Sequence, residues 1–211
     1  MNIPINLKNT ILTTDRLILR PWTWDDLDDF HAYASVDGVG QMAGWNPHRS
    51  RDESRTILTK FIEHGNVFAI EHREDRRVIG SLGFHTARWE HLPSGENPYA
   101  DLRTVEIGYV LSKSYWGQGL MPEAVRRVQA YLFEELSADM VFVCHYNFNR
   151  QSRRVIEKCG FEFLCEEEHT AKQLGKTFPA TQYCMRSEKY FGQNREKGAA
   201  RSAVQHQSSK I

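Results

Sequence analysis

Hydrophobic residues alternate with polar ones over residues 13–20, which places two leucines on one face of an extended chain. This pattern predicts a first strand. Two stretches with apolar residues at helical spacing follow at residues 23–34 and 50–65, and each opens with a hydroxyl residue and acidic side chains suited to a helix start. They predict two amphipathic helices joined by a loop at residues 36–47.

The rest of the chain predicts six further strands and two further helices. Apolar runs indicate strands at residues 67–72, 77–84, 104–111, 140–144, 161–165 and 181–185. An apolar stripe from Val125 to Leu136 indicates one helix, and residues 149–159 indicate another. The order β-α-α-β-β-β-α-β-α-β-β predicts an α+β fold of the α/β sandwich type, with a mixed, mainly antiparallel sheet flanked by helices.

Two polar segments lie outside these elements. Residues 85–103 include proline, glycine and two large aromatic residues, and a loop of this length in a compact domain is typically functional or disordered. After Phe191 the chain is rich in small, polar and charged residues that cannot form a core. We therefore expect one domain at residues 1–190 and a disordered tail at residues 191–211.

The overall charge favours neither nucleic acid nor a membrane as a partner. Lys and Arg together number 27, as do Asp and Glu. No stretch approaches the ~20 apolar residues of a membrane span, and the first residues lack the pattern of a signal peptide. We expect a cytoplasmic protein.

Cysteine and histidine spacing gives no sign of a metal site. The four cysteines lie in or beside apolar runs without C-x-x-C spacing, and the nine histidines form no H-x-x-x-H or H-E-x-x-H pattern. We expect core thiols and no metal. The cysteines are Cys144, Cys159, Cys165 and Cys184.

The segment from Tyr109 to Val125 reads as the end of a strand, a glycine turn and the start of a helix. Gly117 and Gly119 can adopt positive φ and bring no Cβ against an anion, while backbone N–H groups of the turn and helix start converge on a phosphate. Pro122 suits the first helical turn. An ordinary strand-to-helix connection would also account for two glycines, so the turn alone leaves both interpretations open.

Four stretches extend this signal along the chain. They are Leu12-Thr13-Thr14-Asp15-Arg16-Leu17-Ile18-Leu19-Arg20, Val105-Glu106-Ile107-Gly108-Tyr109, Tyr115-Trp116-Gly117-Gln118-Gly119 with Glu123-Ala124, and Asn149-x-x-Ser152 leading to Glu157-Lys158-Cys159-Gly160-Phe161. In this order and spacing they resemble the GNAT superfamily of acyl-coenzyme A N-acyltransferases over residues 11–185. They look most like the branch that acetylates the N-terminal alanine or serine of ribosomal proteins.

The chain departs from the superfamily's pattern at three places. Ser114 stands where the turn usually begins with Gln or Arg, and Leu120-Met121-Pro122 replaces the commoner small residues. Ile156 stands where many members have a tyrosine that serves as the general acid. The resemblance therefore leaves the proton donor to be found elsewhere.

The resemblance implies that acetyl-coenzyme A (acetyl-CoA) is the acyl donor. The glycine turn would bind its pyrophosphate, the exposed end of the preceding strand would pair with the pantetheine arm, and Asn149 would reach that arm from its helix. A helix N-cap is the alternative role for Asn149. The implied cofactor-binding residues are Tyr109, Val110, Leu111, Trp116, Gly117, Gln118, Gly119, Leu120 and Asn149.

Catalytic roles follow from the same resemblance. Glu106 is the candidate base, Ser152 could donate a proton to the departing thiolate, and the backbone N–H near Val110 would stabilise the oxyanion. The alternatives are an outward-facing glutamate in an ion pair and a solvent-facing serine in a first helical turn. Candidate walls of the amine site are three aromatic residues that could equally fill a core, namely Trp45, Trp89 and Tyr146.

The implied function is transfer of an acetyl group to a primary amine, most readily a protein N-terminus. Acetylation of a small amine, such as a polyamine or aminoglycoside, and a non-catalytic acyl-CoA sensor are the alternatives, and a homodimer is expected for the fold. A dinucleotide-binding oxidoreductase fits poorly. Pro122 stands where the dinucleotide-binding motif has its third glycine. That motif also has an acidic residue at the end of the next strand, whereas Asp139 lies before that strand.

Overall fold

A computed structural model describes residues 1–87 and 99–195 of the chain. Within these residues eight strands form one sheet, and the main helices pack on its two faces. The strands are β1 (Leu12–Thr13), β2 (Leu17–Arg20), β3 (Val67–His72), β4 (Arg77–His85), β5 (Thr104–Leu111), β6 (Met140–Tyr146), β7 (Glu162–Ala171) and β8 (Lys176–Arg186). The helices are α1 (Leu27–Ala34), α2 (Arg51–His64), α3 (Leu120–Ala130) and α4 (Arg150–Lys158).

The strand order in the sheet is β1-β2-β3-β4-β5-β6-β8-β7. Neighbouring strands are antiparallel except β5 and β6, which run parallel because α3 carries the chain from one to the other. The predicted mixed, mainly antiparallel sheet flanked by helices is confirmed.

The parallel pair separates halfway along β5. Its pairing with β6 runs from Thr104 to Ile107, whereas its pairing with β4 continues to Leu111. On the other side, β6 stays paired with β8 through Tyr146. The sheet therefore opens into a wedge between the carboxyl ends of β5 and β6.

Each face of the sheet has its own helical cover. Helices α3 and α4 close over one core, which includes Val125, Ile156 and the sheet residues Leu19 and Ile107. Helices α1 and α2 close over the other, to which Phe30, Leu58 and the sheet residue Ala69 belong. Because successive strand residues point to opposite faces, Tyr109 packs on the α3/α4 side and Val110 on the α1/α2 side.

The chain differs from the sequence prediction at its first strand, which is two strands separated by a turn. Leu17 N–H donates to Thr14 Oγ1 at 2.9 Å, and Thr14 N–H donates to the Leu17 carbonyl at 3.0 Å. This local pairing turns the chain, so that β1 lies antiparallel to β2. Alternating hydrophobicity alone does not show such a turn.

The last two strands are also longer than predicted. In their extensions, mostly polar β7 residues pair with a mixture of polar and apolar β8 residues, and the Thr170 and Thr177 hydroxyls lie 2.9 Å apart. An apolar-run criterion misses strands of this kind, because the hairpin is stabilised by its ladder and its glycine turn at Gly175.

The chain beyond β8 is helical over residues 187–195. Tyr190 is buried there, with its ring stacked on Phe133 at a centroid distance of 4.7 Å. The helix continues five residues past the predicted domain boundary into the segment expected to be disordered, and residues 196–211 lie outside the described residues. Among the described residues, each helix falls short of the length and apolar character needed to cross a membrane.

Candidate active site

The glycine turn leads directly into α3. Gly117 and Gly119 both have φ of +78°, and Gly119 occupies the N-cap position of the helix. No described side chain caps this helix start, so the N–H groups of Leu120 and Met121 remain for another acceptor. The turn has the backbone geometry that the sequence predicted for an anion site.

The glycines are required for their backbone angles more than for space. A Cβ built on Gly117 meets no described atom within 4 Å, and one built on Gly119 meets only the Arg16 guanidinium, at 3.8 Å. The left-handed φ disfavours any residue with a Cβ at either position.

A cavity of about 250 Å³, here called the turn cavity, lies between this turn, the open edge of β5 and the start of α4. It brings together most of the residues predicted to bind the cofactor. Those on its wall are Tyr109, Val110, Leu111, Trp116, Gly117, Gly119, Leu120 and Asn149. The candidate proton donor Ser152 lines the same cavity.

Gln118 is the exception among the predicted turn residues, since it does not line the turn cavity. Its side chain donates to the Ser114 carbonyl at 3.1 Å, and its own carbonyl accepts from Arg16 Nη1 at 3.0 Å. Gln118 therefore holds the shape of the turn, and a contact from its side chain to a ligand in the turn cavity is not supported.

A second cavity of about 410 Å³, here called the strand cavity, occupies the wedge between β5 and β6. Its wall includes Glu106, Tyr146 and three histidines, His85, His145 and His169. Both cavities share five lining residues, which therefore mark their junction. These are Met42, Ala43, Tyr109, Asn149 and Ser152.

Glu106 is buried, with 6% of its surface exposed, although it carries an ionisable side chain. It lies opposite His85 on β4, in the part of β5 that is still paired on both sides. The alternative of an exposed strand glutamate is therefore wrong. A buried carboxylate on the wall of the strand cavity is placed to accept a proton from a group inside it.

Asn149 caps α4 and also anchors the loop above it. Its Oδ1 accepts the Ser152 N–H at 3.0 Å, and its Nδ2 donates to the Met42 carbonyl at 3.0 Å. The helix-cap alternative is confirmed. The same side chain lies on the wall of both cavities and joins α4 to the segment that covers their junction.

Ser152 also lies at the junction and is not a plain solvent-facing residue. Its Oγ lies 3.0 Å from the hydroxyl of Tyr109, a contact that the sequence analysis did not anticipate. The alternation of side chains along β5 was the available signal, because it places Tyr109 on the α4 face with Ile107.

The pairing of β5 with β4 shows which backbone N–H groups near Val110 face the wedge. Ser112 N–H donates to the Ile79 carbonyl at 2.7 Å, and Val110 stands opposite Ser81 in the same ladder. Alternation along an antiparallel strand therefore turns the Val110 N–H toward β4, and the N–H groups of Tyr109 and Leu111 toward the wedge. The donors on the open edge are these two neighbours.

Trp116 closes one end of that open edge. Its indole Nε1 donates to the Leu111 carbonyl at 2.8 Å, while its ring lines the turn cavity. This bond fixes the position of the turn relative to β5.

The predicted amine-site aromatics have three different outcomes. Tyr146 lines the strand cavity, stacked on Phe148 with 5.4 Å between ring centroids. Trp45 lines neither cavity and packs against His48, in the core below α1 and α2. Trp89 lies outside the described residues.

Neither cavity is built around metal ligands, since the described residues hold no cluster of three or more His, Cys, Asp or Glu side chains that could bind a metal ion. All four cysteines are free thiols, and Cys159 and Cys184 are buried. Burial raises the pKa of the Cys159 thiol to about 11, which keeps it protonated and unreactive at neutral pH.

Comparison with known proteins gives a family match over most of the described chain. The family model described as Acetyltransferase (GNAT) domain matches residues 16–162. The Bacillus subtilis (strain 168) protein described as uncharacterized N-acetyltransferase YoaA is 29% identical over 157 residues, which cover 72% of this chain and 82% of that protein.

Solved structures share the fold at lower identity. The ribosomal-protein-S5-alanine acetyltransferase from Vibrio fischeri superimposes with a TM-score of 0.64 and 17% identity, covering 85% of this chain and 97% of that one. The spermidine N-acetyltransferase from Vibrio cholerae, in complex with CoA and spermine, gives a TM-score of 0.66 and 18% identity, covering 84% and 99%.

Proposed function

The chain belongs to the GNAT family of acetyltransferases, and we propose that it transfers the acetyl group of acetyl-CoA to the N-terminal α-amine of a protein. The observation that carries the proposal is the junction of two cavities in the wedge between β5 and β6. One cavity ends at an uncapped helix start suited to phosphate, and the other contains a buried carboxylate suited to an amine.

The residues of the turn cavity fit the parts of acetyl-CoA. Backbone N–H groups at Gly119, Leu120 and Met121 would bind the pyrophosphate, because these groups start α3 without a side-chain cap. The edge of β5 beyond Ile107 is free of β6 and would pair with the amides of the pantetheine arm. This course brings the thioester to the junction beside Ser152.

Three different groups of the chain then assist proton removal, the developing negative charge and the departing sulfur. Glu106 takes a proton from the amine, directly or through a water, because only the neutral amine is a nucleophile. The N–H of Tyr109 or Leu111 stabilises the negative charge that develops on the acyl oxygen. Ser152 donates a hydrogen bond to the departing sulfur. Holding both reactants at one junction supplies several kcal/mol, in order of magnitude, beyond this acid–base assistance.

A protein N-terminus is the preferred acceptor for a chemical reason. A peptide α-amine has a pKa near ~8, so an appreciable fraction is neutral at pH 7 and a carboxylate base is sufficient. The ribosomal-protein-S5-alanine acetyltransferase among the structural neighbours is consistent with this class of acceptor.

A small polyamine is the second candidate. The spermidine N-acetyltransferase shares the fold. Two carboxylates also lie on the same face of the sheet. They are Glu106 on β5 and Glu167 on β7, which accepts a hydrogen bond from Cys144 Sγ at 3.5 Å. A cationic chain could use both. In the third possibility, an acyl-CoA sensor, the cofactor binds while Glu106 and Ser152 take part in no reaction.

A product assay separates these functions. The protein is incubated with acetyl-CoA and a panel of peptides with varied N-termini, polyamines and aminoglycosides, while thiol release and acceptor mass are followed. We expect acetylated peptide α-amines. Acetylated polyamine alone would move the acceptor to the second class, and binding of acetyl-CoA without thiol release across the panel would favour the sensor.

A further inference from the structure

Two hydroxyl groups meet where the turn cavity and the strand cavity join. The Tyr109 hydroxyl lies 3.0 Å from Ser152 Oγ and 3.3 Å from the Ser152 carbonyl oxygen. Tyr109 comes from β5 just beyond the point where that strand leaves β6, and Ser152 comes from the first turn of α4. Both residues line both cavities.

We propose that Tyr109 is a positioning residue that orients the Ser152 hydroxyl toward the sulfur of the acyl donor. The inference rests on the proposed function, in which the thioester lies at the junction. It gives the Tyr109 side chain a role separate from the backbone contact expected at this position. It also supplies a hydrogen-bond donor to the departing sulfur in a chain that has Ile156 where many family members have a tyrosine.

The direction of the hydrogen bond between the two hydroxyls decides what Ser152 can do. When the Tyr109 hydroxyl donates to Ser152 Oγ, the serine's own proton is directed away from the tyrosine and can reach a third group. When Tyr109 donates to the Ser152 carbonyl, the serine proton returns to the phenol oxygen. Both contacts are within hydrogen-bond distance, and the proposed role takes the first arrangement, in which the Tyr109 hydroxyl donates to Ser152 Oγ.

The surroundings keep this arrangement in place. Burial raises the pKa of the Tyr109 phenol, and its hydrogen bond with Ser152 only partly offsets the rise, so the phenol remains a donor at neutral pH. Asn149 fixes the other side of the serine by accepting its backbone N–H at 3.0 Å. Both the backbone and the hydroxyl of Ser152 therefore have fixed partners.

Acetyl transfer to the amine requires neither the Tyr109 nor the Ser152 hydroxyl to lose its proton. The amine nitrogen forms the new C–N bond, the C–S bond breaks, and its electron pair goes to sulfur. Thiols have a pKa of about 8.5, so the thiolate needs only a hydrogen bond from Ser152 to leave. The proton lost by the nitrogen goes to Glu106 and then to solvent, and the thiolate takes a proton from solvent.

A double-mutant cycle on the whole chain tests the coupling between Tyr109 and Ser152. Tyr109→Phe, Ser152→Ala and the double variant are compared with the wild-type protein, using acetyl-CoA and a peptide with N-terminal alanine. We expect each single change to lower kcat about tenfold with the KM for acetyl-CoA nearly unchanged, and the double variant to be no slower than Ser152→Ala. Tyr190→Phe, which removes a hydroxyl bonded to Glu134 far from both cavities, is the matched control and should match the wild type.

A second readout does not depend on turnover. With CoA bound, titration of thiolate absorbance should show that Tyr109→Phe and Ser152→Ala each raise the pKa of the CoA thiol by about one pH unit, without a further rise in the double variant. A purely structural role for Tyr109 predicts weaker CoA binding or lower thermal stability and no change in this titration.

The outcomes are distinguishable from failure of the proposed function. Acetyl transfer with an unchanged kcat in Tyr109→Phe, or losses that multiply in the double variant, would overturn the inference alone. If the thiol titrations shift as expected but the protein transfers no acetyl group, the proposed role of Tyr109 is supported and the proposed acetyltransferase activity is overturned. Absence of CoA binding to the wild-type chain would overturn both.

Discussion

The guanidinium of Arg16 binds the carboxylate of Glu123, with Arg16 Nε 2.7 Å from Glu123 Oε2. The backbone N–H of Arg16 also donates to Glu123 Oε1 at 3.0 Å, and Arg16 Nη1 donates to the Gln118 carbonyl at 3.0 Å. A residue in the turn between β1 and β2 thus holds both the start of α3 and the glycine turn. The Arg16–Glu123 ion pair therefore makes the shape of the glycine turn depend on the β1–β2 edge of the sheet.

We expect Arg16→Ala to weaken CoA binding about tenfold, because the turn and the start of α3 lose two hydrogen bonds and an ion pair that fix them before the ligand arrives. Isothermal titration calorimetry with CoA measures the effect. Arg51→Ala, which removes an ion pair to Asp28 between two largely exposed side chains, is the control and should leave affinity unchanged. Equal affinities for all three proteins would show that the pair does not shape the site.

Gly119→Val should abolish CoA binding while the domain remains folded. A β-branched residue is strained at φ of +78°, and relief of that strain reorients the N–H groups at the start of α3. Gly175→Val is the matched control, because Gly175 also has positive φ, at +61°, with no described atom within 4 Å of an added Cβ, but lies in the β7–β8 hairpin. Retained affinity in Gly119→Val, with circular dichroism showing folded protein in both variants, would place the cofactor elsewhere.

Glu106→Gln should lower kcat by about a hundredfold or more near neutral pH while CoA affinity stays within about twofold. The amide keeps the shape and burial of the side chain but cannot take a proton. The loss should shrink as the pH approaches the pKa of the acceptor amine, since the amine then needs no base. A rate equal to that of the wild type at neutral pH would remove Glu106 from the mechanism.

We expect the free energy of unfolding to fall in acid because the buried carboxylate of Asp26 becomes protonated. Burial acts to raise the pKa of Asp26, but the bidentate Arg20 guanidinium and the Thr23 N–H lower it below its usual range. A lowered folded-state pKa gives stability that is complete above the unfolded value of about 3.9 and is lost as the pH falls through the folded value. Asp26→Asn should cost about 2 kcal/mol at pH 7 and flatten this acid limb.

Urea unfolding at a series of pH values measures the free energy of unfolding of the wild type and of Asp26→Asn. Asp28→Asn, at an exposed carboxylate, is the control. Glu123 should contribute in the same direction. Burial opposes the shift, but hydrogen bonds from Thr14 and Arg16 lower the pKa of its carboxyl group. A wild-type free energy of unfolding that stays constant as the pH falls below about 4 would contradict both assignments.

The turn and the strand before it could be predicted from sequence because their constraints are local. Positive φ at Gly117 and Gly119 and the helix start at Leu120 follow from residue types at fixed spacing. The order of the remaining elements followed from apolar runs and helical spacing, and the structure has the predicted mixed sheet flanked by helices. The family match over residues 16–162 confirms the resemblance to the GNAT superfamily. The split of the first strand was missed because it depends on one threonine side chain.

What sequence could not give are the contacts between distant elements. The pairing of Tyr109 with Ser152 and of Arg16 with Glu123 joins residues that are 43 and 107 positions apart. Which N–H near Val110 faces the wedge could not be predicted for a related reason. The direction of an N–H depends on which strand β5 pairs with at that point, and only the β4 register shows that the Val110 N–H faces β4.

A crystal structure of the chain with bound acetyl-CoA would locate the acyl donor relative to the two cavities. We expect pyrophosphate oxygens on the N–H groups at the start of α3, the pantetheine arm along the edge of β5 beyond Ile107, and the sulfur within hydrogen-bond distance of Ser152 Oγ. Acetyl-CoA bound away from the turn, or a sulfur that lies outside the junction of the two cavities, would contradict it.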